Sequence, residues 1–324
     1  MKIIIKRVMV RSGILHSLWP YKVDTYELYQ LISKNPRMRK KEISHLYNVN
    51  EKTGANWWNE AIRRGIIRSP IFRRKSFLNF REYFYYLNIE DPHELYSKLK
   101  ENTNLMFFSV QSGFSNFQVV SPDELNLKDI VISGARSDYY VTIPRRCSFD
   151  DSVSVVLNKL KNVEKIDQSP SPLIYHDVIF DWDELDEKIY RELFNDFRKS
   201  YRTILRNTGV YSNKILHWFR NCDQFGQTIV MYFPDGLGAY QPTTYLVETE
   251  HDSLLIELFS CFPVSTVFFR IGKYLLFNCF LPFSLEGELP YRSIPYIILN
   301  SLKKRKLVLN YTNSIDQYYY RPQF

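Results

Sequence analysis

Residues 40–67 read KKEISHLYNVNEKTGANWWNEAIRRGII, and this stretch decides the fold. Ile43, Leu46 and Tyr47 share one face at helical spacing. Asn48-Val49-Asn50 then forms a short turn, and Asn50 is of the type that caps a helix N-terminus. A second helix runs from Glu51 to about Arg64, with Trp58 and Ala61 on its apolar face, and stops at Gly65. Gly54 inside it is expected to sit against a neighbouring aromatic, since glycine costs a helix roughly 1 kcal/mol relative to alanine. Upstream, Leu28, Leu31 and Ile32 mark another helix over about Tyr26–Ser33, set off by Pro36. Downstream, Ile66-Ile67 leads through Arg73-Arg74-Lys75 and back into Phe77-Leu78, expected as a basic hairpin. Helix, helix, three-residue turn, helix and hairpin make a winged helix-turn-helix over residues 25–80, preceded by an N-terminal extension over 1–24.

The charge distribution sharpens this reading. The net charge of +8 is the sum of two unlike parts. Residues 1–81 hold 18 Lys and Arg against 5 Asp and Glu, whereas residues 82–324 hold 25 against 30. A basic block on a mildly acidic body is the footprint of a nucleic-acid-binding domain on a regulatory one.

Beyond the first domain, Arg81–Ile89 reads as a strand and Pro92 opens a helix carrying Leu95 and Leu99. Leu105–Val120 reads as two strands hinged at Ser112-Gly113, and Asp151–Leu160 as a helix. Ile174–Phe180 reads as the closing strand, with Asp129–Ile132 and Tyr139–Ile143 as an inserted hairpin. The order β-α-β-β-α-β is ferredoxin-like, over 81–180. The pattern then recurs. Adding 161 carries Arg37 to Arg198, Ile43 to Ile204, Val49 to Val210, Trp57 to Trp218 and Gly65 to Gly226. Adding 159 carries Tyr86-Leu87 to Tyr245-Leu246, Leu95 to Leu254 and Gly113 to Gly272. The expected fold is therefore α+β: two tandem repeats of a winged helix-turn-helix followed by a ferredoxin-like domain. The second repeat divides into 181–242 and 243–324.

These residues resemble the Lrp/AsnC family, the feast/famine regulators. The first helix of that family carries a D-x-x-I/L-L pattern, matched by Asp186, Ile189 and Leu193 and echoed by Leu28 and Ile32. Its turn and recognition helix are matched by Gly209-Val210, Ile215, Phe219, Cys222 and Gly226. The first copy offers Asn48-Val49-Asn50, Trp58, Ala61 and Gly65-Ile66-Ile67. Its effector-domain G-x-x-D turn is similar to Gly113-Phe114-Ser115-Asn116, with Gly134–Tyr139 a competing match. The resemblance implies binding of double-stranded DNA, an amino-acid-like small molecule, and dimerisation through the effector domain. A duplicated chain departs from the family's single copy, so either a homodimer or an intramolecular pseudo-dimer is expected.

Candidate DNA-binding residues follow from the motif. Lys52, Thr53, Asn56, Asn59 and Arg63 fall largely opposite the core face of the recognition helix, where asparagine pairs with adenine and lysine with guanine or phosphate. Arg37, Arg39, Lys40 and Lys41 open the preceding helix, and Arg73, Arg74 and Lys75 stand where a wing tip meets the sugar-phosphate backbone. Gly113, Asn116, Gly134 and Asp138 are candidate ligand-binding turn residues. The second wing region, 227–240, holds Asp235 and no Lys or Arg, so the first copy is expected to be the main reader.

Catalysis, cofactors and metals find no support. The six histidines lack metal-ligand spacing, the four cysteines form no C-x-x-C pair, and no phosphate-binding glycine loop occurs. Scattered cysteines and the absence of a long apolar run suit a cytoplasmic protein without a membrane span. The expected function is a DNA-binding transcription regulator and not an enzyme. Two alternatives share parts of this architecture: a plasmid-type replication initiator with tandem winged helices, and a sirohaem-decarboxylase-like enzyme, for which no histidine-bearing strand pattern is found.

Overall fold

The computed structural model describes residues 23–101, 104–165, 169–283 and 290–321; the N-terminal extension lies outside these up to residue 22. The first repeat begins with α1 (Thr25–Lys34), α2 (Lys40–Leu46) and α3 (Glu51–Arg63), followed by strand β1 (Ile71–Arg74). Its α/β unit contains β2 (Tyr83–Leu87), α4 (Pro92–Leu99), β3 (Phe107–Gly113), β4 (Phe117–Ser121), β5 (Ile130–Ala135), β6 (Tyr140–Val141) and α5 (Phe149–Lys161). The second repeat runs α6 (Glu184–Leu193), α7 (Tyr201–Thr208), α8 (Ser212–Phe225), β7 (Gly226–Ile229), β8 (Tyr240–Glu248) and α9 (Asp252–Phe259). It ends with β9 (Val267–Ile271), β10 (Tyr274–Pro282), α10 (Ile294–Lys304) and β11 (Asn310–Tyr320). The α+β class and the duplication are as the sequence predicts. Capping fixes the helix starts: Asp24, Asn50 and Ser200 each accept a backbone N–H, and Ser148 and Asp183 form capping boxes.

The two repeats pair with each other. Neither exit strand folds back as a free wing. Instead β1 runs antiparallel to β7, with Ile71 opposite Ile229 and Arg74 opposite Gly226. The ribbon continues through Arg68 N–H to Met231 O and Phe233 N–H to Ile66 O. The α/β units merge into one nine-stranded sheet in the order β5-β2-β4-β3-β11-β8-β10-β9-β6, joined where β3 pairs β11. The sheet curls until Arg136, just past β5, bridges Ile271 on β9. Phe84, Tyr86, Val120, Ile132, Leu246, Phe269 and Leu276 pack in the shared core that also takes in the second helix-turn-helix.

The second unit has the ferredoxin order β11-β8-β10-β9, but the first departs from expectation. Ile174–Phe180 forms no strand, and β5 takes the closing place beside β2. The expected hairpin is split, because β6 pairs with β9 of the second unit. Helix α5 likewise packs Phe149, Val156 and Leu160 into the second unit's core beside α9 and α10. Apolar helix faces settle where apolar area is available, and that face lies across the repeat boundary.

A reciprocal arginine clasp joins the helix-turn-helix units. Arg37 donates to the carbonyls of Phe197 and Lys199 (3.0 Å for the latter), and its guanidinium lies 4.0 Å from the Phe219 ring centre. Arg198 donates to the carbonyls of Pro36 and Met38 at 2.7 and 2.6 Å and lies 4.0 Å from the Trp58 ring centre. Each member of one set is the other set's equivalent at an offset of 161. Two charge-assisted hydrogen bonds and a cation–π contact are lost on truncation, so Arg37→Ala and Arg198→Ala should each cost about 2 kcal/mol. Urea denaturation of the two variants checks this; a large loss from one and none from the other would contradict an isologous clasp.

Candidate nucleic-acid interface

The exposed face of α3 is set by its cap and by its approach to α2. Asn50 Oδ1 accepts from the Thr53 N–H at 2.8 Å and the Thr53 hydroxyl at 3.0 Å. A Cβ on Gly54 would lie 2.3 Å from Ser44 Oγ and 3.0 Å from Ser44 N, so α2 can come close only at glycine. The close neighbour is thus a serine on α2, not the expected aromatic. Trp57 and Trp58 are buried in the first unit's core, Trp57 edge-on to Tyr47 at 5.6 Å. This turns Lys52, Asn56, Asn59 and Arg63 outward, all exposed, and spacings of four, three and four residues place them on one stripe.

Exposed Arg39 and Lys41 flank the stripe at the start of α2, and Lys40 Nζ donates to Asn59 Oδ1 at 2.6 Å. Asn56 makes no hydrogen bond to another described side chain, which leaves its amide free for a base edge. Thr53 is half-buried with its hydroxyl held by Asn50. Arg63 pairs with Glu60, and that hydrogen bond holds the Glu60 carboxyl below its usual range. Such an exposed pair adds little stability and exchanges readily for a phosphate.

Other residues expected at the interface are placed elsewhere. Arg37 is committed to the clasp. Arg73 and Arg74 are buried in β1, because its partner is β7 and α6 covers it. Arg73 donates to the Phe72 and Phe194 carbonyls, and Arg74 pairs with Glu187 at 2.7 Å. Lys75 Nζ donates to the carbonyls of Asp223 and Gln224, closing the last turn of α8. The wing-tip reading of these three residues is therefore corrected.

The candidate ligand turns are also internal. Gly113, at φ +145°, faces β11, where a Cβ would lie 2.2 Å from Asn313 O. Asn116 exchanges two hydrogen bonds with the Ile89 backbone, at 2.9 and 2.6 Å. Gly134 faces Ile271, and Asp138 accepts from Ser76 N–H and contacts His176 Nε2 at 2.8 Å. The glycines thus permit close approach by the second repeat, and the polar groups of Asn116 and Asp138 are spent on bonds within the first.

The second helix-turn-helix presents a different face. Asn213, His217, Arg220 and Gln224 stand where the first has Lys52, Asn56, Asn59 and Arg63, and Ser200, Tyr201 and Arg202 where it has Arg39, Lys40 and Lys41. Lys214 is held by Asp183 and Asp186 at 3.0 and 2.8 Å. Tyr201, Leu205, Tyr211 and Leu216 are exposed apolar side chains on α7, α8 and the turn between them.

The chain is similar in structure to a siroheme decarboxylase, NirDL. The match has a TM-score of 0.49 and 9% identity and covers 92% of each chain. A second NirDL structure, in complex with an iron-uroporphyrin III analogue, matches with a TM-score of 0.46 and 8% identity over 92% of each chain. No family model matches the sequence, and no curated protein matches it.

Among the described residues no group of three or more His, Cys, Asp or Glu could hold a metal ion, and no helix is long and apolar enough to cross a membrane. Behind this face, one feature escapes the sequence reading. It is the fully buried pair Arg136–Glu82, 2.7 Å apart, in which Glu82 also accepts from the Tyr190 hydroxyl at 3.0 Å.

Proposed function

We propose that this protein is a double-stranded-DNA-binding transcription regulator that works as an intramolecular pseudo-dimer, with the first helix-turn-helix as its reader. The observation that carries this is the outward stripe Lys52, Asn56, Asn59 and Arg63 beside Arg39 and Lys41. Its dimensions suit a major groove, which admits one α-helix. The asparagines supply base-edge hydrogen bonds, and the flanking cations meet phosphates on either side. The exposed cations contribute affinity by releasing counterions from DNA, so binding should weaken steeply with salt. With about five phosphate contacts, affinity should fall roughly 500-fold between 50 and 200 mM salt. Fluorescence anisotropy of a labelled duplex across that range checks this; affinity independent of salt would reject the reading.

A further inference from the structure

Two exposed apolar patches of opposite charge adjoin α8. The first is the outward face of the second helix-turn-helix. Tyr201 and Leu205 are four residues apart on one stripe of α7, and Tyr211 and Leu216 stand at the start of α8. Tyr211 is 61% exposed. Tyr201 rests edge-on against Phe219 with ring centres 5.1 Å apart, which ties α7 to α8. Arg202, Arg206 and Arg220 are exposed on the same two helices, and none of them is in an ion pair among the described residues.

The second patch is the connection over 174–184, which leads from the first repeat into α6. Ile174, Val178 and Ile179 are exposed, Ile179 by 76%. Carboxylates accompany them. Asp177 contacts Arg81 Nη2 at 3.2 Å while its side chain stays 86% exposed. Asp181 and Glu184 are exposed and in no ion pair among the described residues. Phe180 packs against Phe225 with ring centres 5.4 Å apart, and Lys214 holds Asp183 at 3.0 Å. The connection therefore runs along α8 from its last turn to its first, so the acidic patch adjoins the helix that carries the basic one.

We propose that a second copy of this chain covers both patches in a two-fold dimer, each basic patch lying against the partner's acidic one. Clustered exposed apolar side chains mark contact surfaces, whereas scattered ones do not. Each patch repels a copy of itself, so acidic against basic is the attractive register, and one chain carries both halves. A two-fold contact uses each patch once per chain and closes the pair. The carboxylates disfavour DNA phosphates as the occupant. The inference does not rest on the DNA reading.

The test is sedimentation velocity of the full chain in low-salt buffer. At about 50 µM the wild type should sediment as a dimer, the range of a modest, partly polar contact. Arg202→Glu with Arg220→Glu turns the basic patch acidic, and Asp181→Lys with Glu184→Lys turns the acidic patch basic. Each double variant alone should associate about 100-fold more weakly, because like charges then face each other across the contact. An equimolar mixture of the two should recover the dimer, since every facing pair is again opposite in sign. Recovery also shows that both variants fold. The proposal is overturned by a wild type that stays monomeric, by association that survives either charge reversal, or by a mixture that fails to recover. Species that grow beyond two chains would likewise overturn it, because they require an open head-to-tail contact.

Discussion

Replacing Glu82 with alanine is expected to cost about 3–5 kcal/mol of folding stability, as breaking a buried ion pair by removing one partner does. Glu82 and Arg136 are both almost wholly buried, and the carboxylate faces Arg136, Arg73 and Arg74 together. Burial alone would raise the Glu82 pKa. The Arg136 guanidinium beside it, helped by the charges of Arg73 and Arg74, outweighs burial and holds it below the usual value of 4.5. The sign follows from linkage: a carboxyl depressed in the folded state contributes stability above its unfolded pKa. That contribution is lost as pH falls below about 4.5 toward the folded pKa. Chemical denaturation of wild type and Glu82→Ala at pH 7 and again near pH 3.5 checks both parts. The gap should be largest at pH 7 and shrink in acid. A loss under 1 kcal/mol, or one that grows in acid, would show that the junction does not depend on this charge.

The pair also marks where sequence reading stops. Local signals were legible: the Asn48-Val49-Asn50 turn, the Asn50 cap, and the repeat offsets of 161 and 159 all correspond to elements that form. What failed was pairing at long range. Arg73-Arg74-Lys75 looks like a solvated charge run, because nothing local shows that Gly226–Ile229 will pair with it. Ile174–Phe180 has strand-like apolar content, yet Ile130–Ala135 reaches the place beside β2 first along the chain. Arg37 carries a readable signal of pairing between the repeats. Its equivalent at 161 is also an arginine, and their respective targets, Phe219 and Trp58, are equivalents too. The exposed stripe on α3 was legible from helical spacing alone.

The second large effect concerns DNA. Neutralising Lys41, Lys52 and Arg63 to glutamine should weaken duplex binding by on the order of 100-fold at 0.1 M salt, since three phosphate contacts are lost. It should also make the slope of log affinity against log salt shallower by about 2.7, at roughly 0.9 per contact. All three side chains are exposed and none packs in a core, so folding should be unchanged within about 0.5 kcal/mol. The matching change on the second unit, Arg202, Arg206 and Arg220 to glutamine, removes three exposed cations of equal charge. There the surrounding face carries Tyr201, Leu205, Tyr211 and Leu216, and position 213 has asparagine where the first unit has Lys52. That face should contribute little beyond a general attraction, and its loss should stay within about threefold. The decisive measurement is anisotropy of one labelled duplex with wild type and both triple variants at a single salt concentration. A loss confined to the Lys41, Lys52, Arg63 variant is expected if the first unit reads DNA; equal losses, or no binding by the wild type, would contradict it.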